Sequence, residues 1–274
     1  MAEIIDKSYL KEKQYKSTKY LEARIKIHQF TKNKIGFHEW IFGQYDLSKF
    51  EKSNQEIKIL DVGCGTGVFW KKNANNFKKF KINITFTDYS SAMIEKEKIN
   101  TEELVAQKTF EIADIDNLEK YKNQFDIVFC HNAVYHAENK DNALKNLKDC
   151  LNDKPSSFCS ITTNSEKHML NVYEIGRNLD KNFPTDRIID SFTEELADKM
   201  LPKHFKFEKK IEEEELRVTD WDILMGFVAS GVEPRGIKLV DNFWDEYKKI
   251  YDKEFKNNGY FRIIKRSPLY ICKK

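Results

Sequence analysis

The chain has no excess of either charge: 47 Lys and Arg stand against 44 Asp and Glu in 274 residues, a net charge of +3. It therefore lacks the electrostatic footprint of a nucleic-acid binder, and its dispersed Lys and Glu read as ordinary solvated surface. A cysteine framework is missing too. Cys64, Cys130, Cys150, Cys159 and Cys272 are odd in number and nowhere spaced C-x-x-C, which disfavours a disulfide scaffold and a zinc site, so no metal is expected. No apolar run approaches the length of a membrane span, and the opening M-A-E-I-I-D-K has no signal-peptide core. The expectation is a soluble, cytoplasmic protein with free thiols and no membrane partner. Its hydrophobic content of 40% suffices for one well-buried α/β domain with a smaller appendage.

What is present is concentrated in Ile59 to Gly67, which reads I-L-D-V-G-C-G-T-G. Ile57, Ile59, Leu60 and Val62 form the short apolar run of a buried parallel strand, ended by glycines at 63, 65 and 67. The order implied is strand, tight turn, helix from about Val68. Glycines let such a turn adopt backbone angles that side chains forbid and let a ligand lie against the main chain. The helix then offers unpaired N–H groups to that ligand, a nucleotide or an adenosyl group. A dinucleotide fingerprint, G-x-G-x-x-G, would need its third glycine where Val68 stands, which argues against nucleotide-dependent oxidoreduction. Asp61, two residues before the first glycine, would repel a pyrophosphate and attract an ammonium group.

Before this turn, residues 1 to 50 lack strand-like alternation. Helical spacing from about Ser17 and the cluster Phe37, Trp40, Ile41, Phe42 and Tyr45 predict helices that shield a sheet edge or form a lid. After it, strand and helix alternate, the signature of a parallel sheet. Strands are expected at Ile82 to Thr87, Thr109 to Ala113, Phe125 to Phe129 and Ser157 to Thr162. Asp88, at the end of the second strand and about 20 residues past the glycines, is placed to bind both hydroxyls of a ribose. It also suits the cap of the helix Ala92 to Lys98. Asp114 and Ile115, after the third strand, suit the amino group and face of an adenine. The loop Cys130 to Ala137 follows the fourth strand, where the crevice of an open parallel sheet lies. There His136 is a candidate base, with Tyr135 and His131 lining the pocket; the alternative is a histidine that only bonds a backbone carbonyl to fix the loop.

Helices are then expected over Asn142 to Leu151, from Thr163 to about Leu179, and over Phe192 to Leu201. The second carries His168 and Tyr173 as candidate substrate contacts. Glu212 to Glu215 look like a solvated edge strand whose charge discourages pairing. Thr219 should cap a helix at Trp221, a long amphipathic helix should run from Ile237 to Phe255, and Tyr260 to Cys272 should close as a hairpin or strand pair turning at Ser267-Pro268. The organisation expected is an N-terminal helical lid over 1–50, a ligand-binding core over 51–218 with a helical insertion at 164–201, and C-terminal helices and final strands of the same domain over 219–274.

In order, D-V-G-C-G-T-G, T-D-Y-S, A-D-I-D and F-D-I-V-F-C-H-N-A-V-Y-H resemble the motifs of class I S-adenosylmethionine-dependent methyltransferases. They are close in style to those acting on quinones and natural products. His136 ends a loop similar to the family's L-H-H segment, with Tyr135 in place of its first histidine. The resemblance implies a Rossmann-like, mostly parallel seven-stranded sheet with an antiparallel last strand, and S-adenosyl-L-methionine as cofactor. It assigns Asp61, Gly63, Cys64, Gly65, Gly67 and the His131 backbone to the methionine part, Asp88 and Tyr89 to the ribose, and Asp114 and Ile115 to the adenine, with Met93 as a further cofactor-binding residue. Arg24, with Tyr20 one helical turn earlier, is the hypothesis for the cofactor carboxylate. The implied activity is methyl transfer to oxygen, nitrogen or carbon of a small molecule by a monomer or homodimer. RNA or protein acceptors are the alternative, disfavoured by the neutral charge and by His131-Asn132-Ala133-Val134 standing where an N-P-P-Y-like tetrapeptide would be. A non-catalytic adenosyl-ligand sensor is a further one.

Overall fold

The computed structural model describes residues 18–53, 55–184 and 188–274. Its strands are β1 (Ile57–Val62), β2 (Ile82–Asp88), β3 (Gln107–Ile112), β4 (Ile127–His131), β5 (Phe158–Thr162), β6 (Lys206–Val218) and β7 (Phe261–Lys273). They form one sheet in the order β3-β2-β1-β4-β5-β7-β6. The first five pair in parallel, and β7 runs antiparallel to β5 from Cys159 opposite Cys272 to Thr162 opposite Leu269. β1 lies between β2 and β4, so chain order reverses there and leaves a crevice outside the carboxyl ends of β1 and β4. The helices are α1 (Thr18–Lys26), α2 (Phe37–Gly43), α3 (Ser48–Ser53), α4 (Val68–Phe77), α5 (Ser91–Asn100), α6 (Lys140–Cys150), α7 (Leu170–Leu179), α8 (Glu194–Met200), α9 (Trp221–Val232) and α10 (Phe243–Asn258).

The chain divides into two compact units. The larger comprises Ile35–Ser165, Ser191–Ile211 and Ser267–Lys274. Its central strands are apolar on both sides because helices cover both faces. Leu60, Val62, Val128 and Cys130 pack with Leu144 and Leu147 of α6 on one side. Ile59, Ile127 and Phe129 pack with Phe69, Trp70 and Phe77 of α4 on the other. Burying each such side chain contributes about 1.5–3 kcal/mol.

The smaller unit comprises the described residues of Met1–Lys34, Glu166–Asp190 and Glu212–Arg266. Its core joins Ile27, Val172, Leu216, Val228, Phe243, Tyr247 and Phe261, and the Tyr247 hydroxyl donates to the Val172 carbonyl at 3.0 Å.

Several elements depart from the sequence expectation. The helix expected from Ser17 begins its described part at Thr18, and residue 17 lies outside the described residues. Helix α7 starts at Leu170 rather than Thr163, because Asn164 bridges Thr193 and Met169 adopts φ 54°. Asp220, not Thr219, caps α9, accepting from the Ile223 N–H. The long helix α10 starts at Phe243, not Ile237. The closing segment is one continuous strand rather than a hairpin. Pro268 is tolerated within it because pairing with β5 begins one residue later, at Leu269, so the missing N–H costs that ladder no bond.

The acidic run is not simply solvated. β6 does end the sheet, but Glu212 and Glu214 point inward and are buried. Lys265 of β7 pairs with Glu214, Arg266 with Glu213, and Arg262 with Glu215. Alternation puts successive side chains on opposite faces, and the basic residues of β7 neutralise both.

Candidate functional site

The glycine turn leaves β1 as the sequence implies. Gly63, Gly65 and Gly67 all have positive φ, at 69°, 62° and 77°, where a side chain would be strained. A Cβ on Gly63 would come within 2.5 Å of the Ala133 Cβ, so the chain leaving β1 and the chain leaving β4 touch there. The Gly63 and Cys64 N–H groups donate to the Thr87 carbonyl at 2.8 and 3.0 Å, fixing the turn to the end of β2. Gly67 then starts α4 as its N-cap.

Three carboxyl groups converge on this turn. Asp88 accepts the Gly65 N–H through Oδ2 at 3.0 Å and the Ser90 N–H through Oδ1 at 2.8 Å. The same carboxylate thus ties the glycine turn to Ser90, the N-cap residue of α5. Burial raises its pKa, against those two hydrogen bonds. Asp61 is buried, and its Oδ2 accepts the Trp70 indole N–H at 2.6 Å. Burial lifts Asp61 to about 7 against that bond, and Asp88 adds to the rise.

Sequence reasoning missed the third, Glu97 of α5, which is fully buried beneath Gly67. One turn on, Asn100 donates to the Thr66 carbonyl at 2.7 Å. The spacing of Met93, Glu97 and Asn100 along α5 puts them on one face, and Met93 is buried there as well.

The other adenosyl-side candidates follow β2 and β3. Tyr89 is 42% exposed. Asp114 folds its turn by accepting the Asp116 N–H at 3.0 Å, and Ile115 packs partly buried beside Tyr135 against the core. Asp116, also missed, accepts the Glu138 N–H at 2.8 Å and the Asn139 N–H at 3.3 Å. It thereby ties the turn after β3 to the loop after β4. The only sequence signal for it was its place in A-D-I-D.

At the end of β4 the His131 ring turns into a buried polar knot. Its Nε2 lies 2.9 Å from Ser160 Oγ and 3.2 Å from the Tyr45 hydroxyl. Burial depresses its pKa to about 3, with His38 adding. Asn132 follows with φ 52°, its N–H donating to the Thr162 carbonyl at 3.0 Å. Val134–His136 then form a tight 3-10 turn. His136 stacks edge-on against Tyr135, ring centres 4.6 Å apart, and burial lowers its pKa to about 4, helped by Lys140. Among the described residues, Asn132 Oδ1 and His136 Nδ1 are buried without a hydrogen-bond partner.

The larger unit contains Asp61, the three glycines, Cys64, Asp88, Tyr89, Met93, Asp114, Ile115, His131, Tyr135 and His136. The remaining candidates belong to the smaller unit. There the Arg24 guanidinium donates to Ser230 Oγ at 3.2 Å and to its carbonyl at 2.8 Å. The Tyr20 hydroxyl bonds Glu233, His168 Nδ1 meets the Arg266 backbone, and Tyr173 packs edge-on to Phe183.

A methyltransferase-domain family model matches residues 59–154, the stretch that contains nearly all of these groups. Malonyl-(acyl-carrier protein) O-methyltransferase 2 of Ilyobacter polytropus is 28% identical over 73% of this chain and 78% of its own length. The tRNA U34 carboxymethyltransferase of Campylobacter hominis is 26% identical over 67% of this chain, and the match spans 64% of its length. Among solved structures, Haemonchus contortus phosphoethanolamine N-methyltransferase 2 in complex with S-adenosyl-L-methionine shares the fold. Its TM-score is 0.53 at 17% identity, covering 97% of this chain and 59% of that one. Strand order, the glycine turn at the reversal and these likenesses agree: residues 59–154 match a methyltransferase domain, and together they support a class I S-adenosylmethionine-dependent methyltransferase.

Proposed function

We propose that the enzyme methylates an oxygen, nitrogen or carbon nucleophile of a small-molecule acceptor. The observation that carries the reading is the pair of unpartnered buried atoms, Asn132 Oδ1 and His136 Nδ1, on the loop closing the crevice. Two such atoms suit the polar group of a compact acceptor, because a buried polar group without a partner costs about 1–3 kcal/mol. The residues present also fit the cofactor. Asp88 binds only backbone N–H groups, one on each oxygen, and a carboxylate accepts about four hydrogen bonds, so a ribose diol is accommodated.

Asp61 and the 63–67 turn, with Cys64 and the His131 backbone, would hold the methionine part, Asp88 and Tyr89 the ribose, and Met93, Asp114 and Ile115 the adenine. Arg24 and Tyr20 stay in the proposal as carboxylate contacts, and His168 and Tyr173 as acceptor contacts. The bound cofactor supplies an activated methyl group, so the protein's work is to orient the acceptor and keep water out. His136 is neutral at pH 7, and in the tautomer protonated on Nε2 its Nδ1 accepts a hydrogen bond from the acceptor. As the nucleophile takes up the methyl group its proton becomes acidic, and His136 Nδ1 is the base proposed to receive it.

The two relatives named above act, by their names, on a malonyl carrier protein and on tRNA. The test is release of S-adenosylhomocysteine with a panel of small carboxylates, phenols, quinols and amines beside unmodified tRNA. Turnover with a small molecule is expected; turnover with tRNA alone would overturn the acceptor class.

A further inference from the structure

The Glu97 carboxyl occupies the space beneath the glycine turn. A Cβ on Gly67 would lie 2.5 Å from its Oε2 and 2.7 Å from its carboxyl carbon, so this side chain fills the volume that the glycine leaves. It is fully buried, and among the described residues only the weakly donating Cys64 thiol is near enough to offer either oxygen a hydrogen bond. Asn100, on the same face of α5, holds the Thr66 carbonyl. The helix thus backs the turn at two successive residues, by contact under Gly67 and by a hydrogen bond at Thr66.

The charges around Glu97 are of one sign. Asp61 of β1 and Asp88 at the end of β2 both act on it, and the Cys64 thiol of the turn, a weak donor, faces it. The neighbouring cations are engaged elsewhere. Lys71 of α4 donates to Asn100 Oδ1, Lys98 pairs with Glu95, and Lys108 of β3 donates to the carbonyls of Thr101 and Glu102. An ionised carboxylate here would be desolvated, unpaired and close to two others, whereas a neutral one is an uncharged filler. Burial, with Asp61 and Asp88 adding, accordingly pushes Glu97 up to about 9.

We propose that Glu97 is a positioning residue for the glycine turn, effective only in its protonated form, so that loss of its proton loosens the turn and weakens cofactor binding. This rests on the assignment of the turn to the cofactor. Gly67 opens α4 in the left-handed conformation, and a carboxylate that leaves its pocket to reach water must displace that backbone. The consequence is an extra loss of affinity at alkaline pH, beyond the loss that the ligand's own amine brings.

The test is the affinity of S-adenosylmethionine and S-adenosylhomocysteine, measured by calorimetry from pH 6.5 to 9.5 on the full chain and on Glu97→Gln. The amine of the ligand titrates identically with both proteins, so their ratio isolates Glu97. Near pH 7 the two proteins should bind within about threefold of each other, since an amide fills the same space uncharged. By pH 9.5 the wild-type chain should have lost up to roughly fourfold more affinity than the variant, for both ligands alike. Glu97→Ala, which empties the space, should bind more weakly at every pH while circular dichroism shows it folded. Parallel pH curves for wild type and Glu97→Gln, with tight binding throughout, would overturn the role of Glu97 and leave the cofactor site intact. A wild-type preference for the sulfonium over the product that grows with pH would overturn it too, because the ionised carboxylate would then be attracting the ligand from its place. Binding of neither ligand at any pH would instead overturn the assignment of the turn itself.

Discussion

Replacing Asp88 by Asn tests the cofactor site most directly, because the change removes charge while keeping shape. The carboxylate accepts the Gly65 N–H on one oxygen and the Ser90 N–H on the other. An amide can satisfy only one of these, and its NH2 group turns a donor toward the second N–H. The variant therefore loses the ribose contact to that atom and strains the turn as well. Hydrogen bonds to a charged group contribute about 1.5–3 kcal/mol each, so two weakened ribose bonds amount to about 3–6 kcal/mol. Burial already disfavours the ionised form of Asp88, which places the expectation at the lower end, near 3 kcal/mol, or a loss of roughly 100-fold in affinity. Calorimetry with S-adenosylhomocysteine measures it, and turnover at saturating cofactor should fall far less than affinity, since the residue holds the ribose and not the acceptor. An affinity within fivefold of wild type would refute the ribose assignment.

Two further perturbations address the acceptor loop and the frame beneath it. If His136 takes the acceptor's proton, His136→Gln should depress turnover by about 10²-fold or more, the usual worth of a positioned base, with little change in cofactor affinity. With its pKa at about 4, the ring stays neutral down to that value, so no fall in turnover between pH 8 and 5 should trace to His136; an acid limb near pH 6.5 that vanishes in the variant would contradict this. Asp126, buried at the start of β4, accepts from the Lys58 N–H, Asn152 Nδ2 and Lys154 Nζ. Despite burial, which acts to raise it, these partners hold its pKa below the usual carboxylate value. Its contribution is therefore complete above the unfolded value of about 3.8 and is lost as pH falls through the lower folded one. Asp126→Ala should cost about 2–3 kcal/mol at pH 7 by urea denaturation, and the difference should shrink in strong acid.

The parts of the fold that follow local rules were legible in the sequence. Strand β1 and helix α4 start where the apolar run and the third glycine place them, because a buried parallel strand and a left-handed turn leave few residue choices. What misled was chemistry decided at a distance. The segment E-K-E-K of α5 reads as a solvated face, yet Glu97 is buried within it because the turn from β1 lies on that side of the helix. The acids of β6 likewise look exposed until Arg262, Lys265 and Arg266 arrive some 50 residues later to pair with them. Ser267-Pro268 looks like a turn in isolation, and only the register of β7 against β5 shows why a strand can pass through it. For the site, the acid after each strand was readable by position, whereas the inward rotation of the His131 ring toward Ser160 and Tyr45 depends on partners from two other parts of the chain.

The free cysteines carry a consequence for how this protein can be watched. Cys130, Cys159 and Cys272 are buried in the sheet and Cys150 at the end of α6, while Cys64 is partly open within the glycine turn. Burial raises all five thiols, so none is a fast nucleophile in the folded chain. A gentle alkylating reagent will meet Cys64 first, in the turn proposed to hold the cofactor, and will reach the others only as the sheet opens. One reagent thus times two events on the same molecule: the first label marks how often the turn is bare, and the remaining four mark how often the fold comes apart.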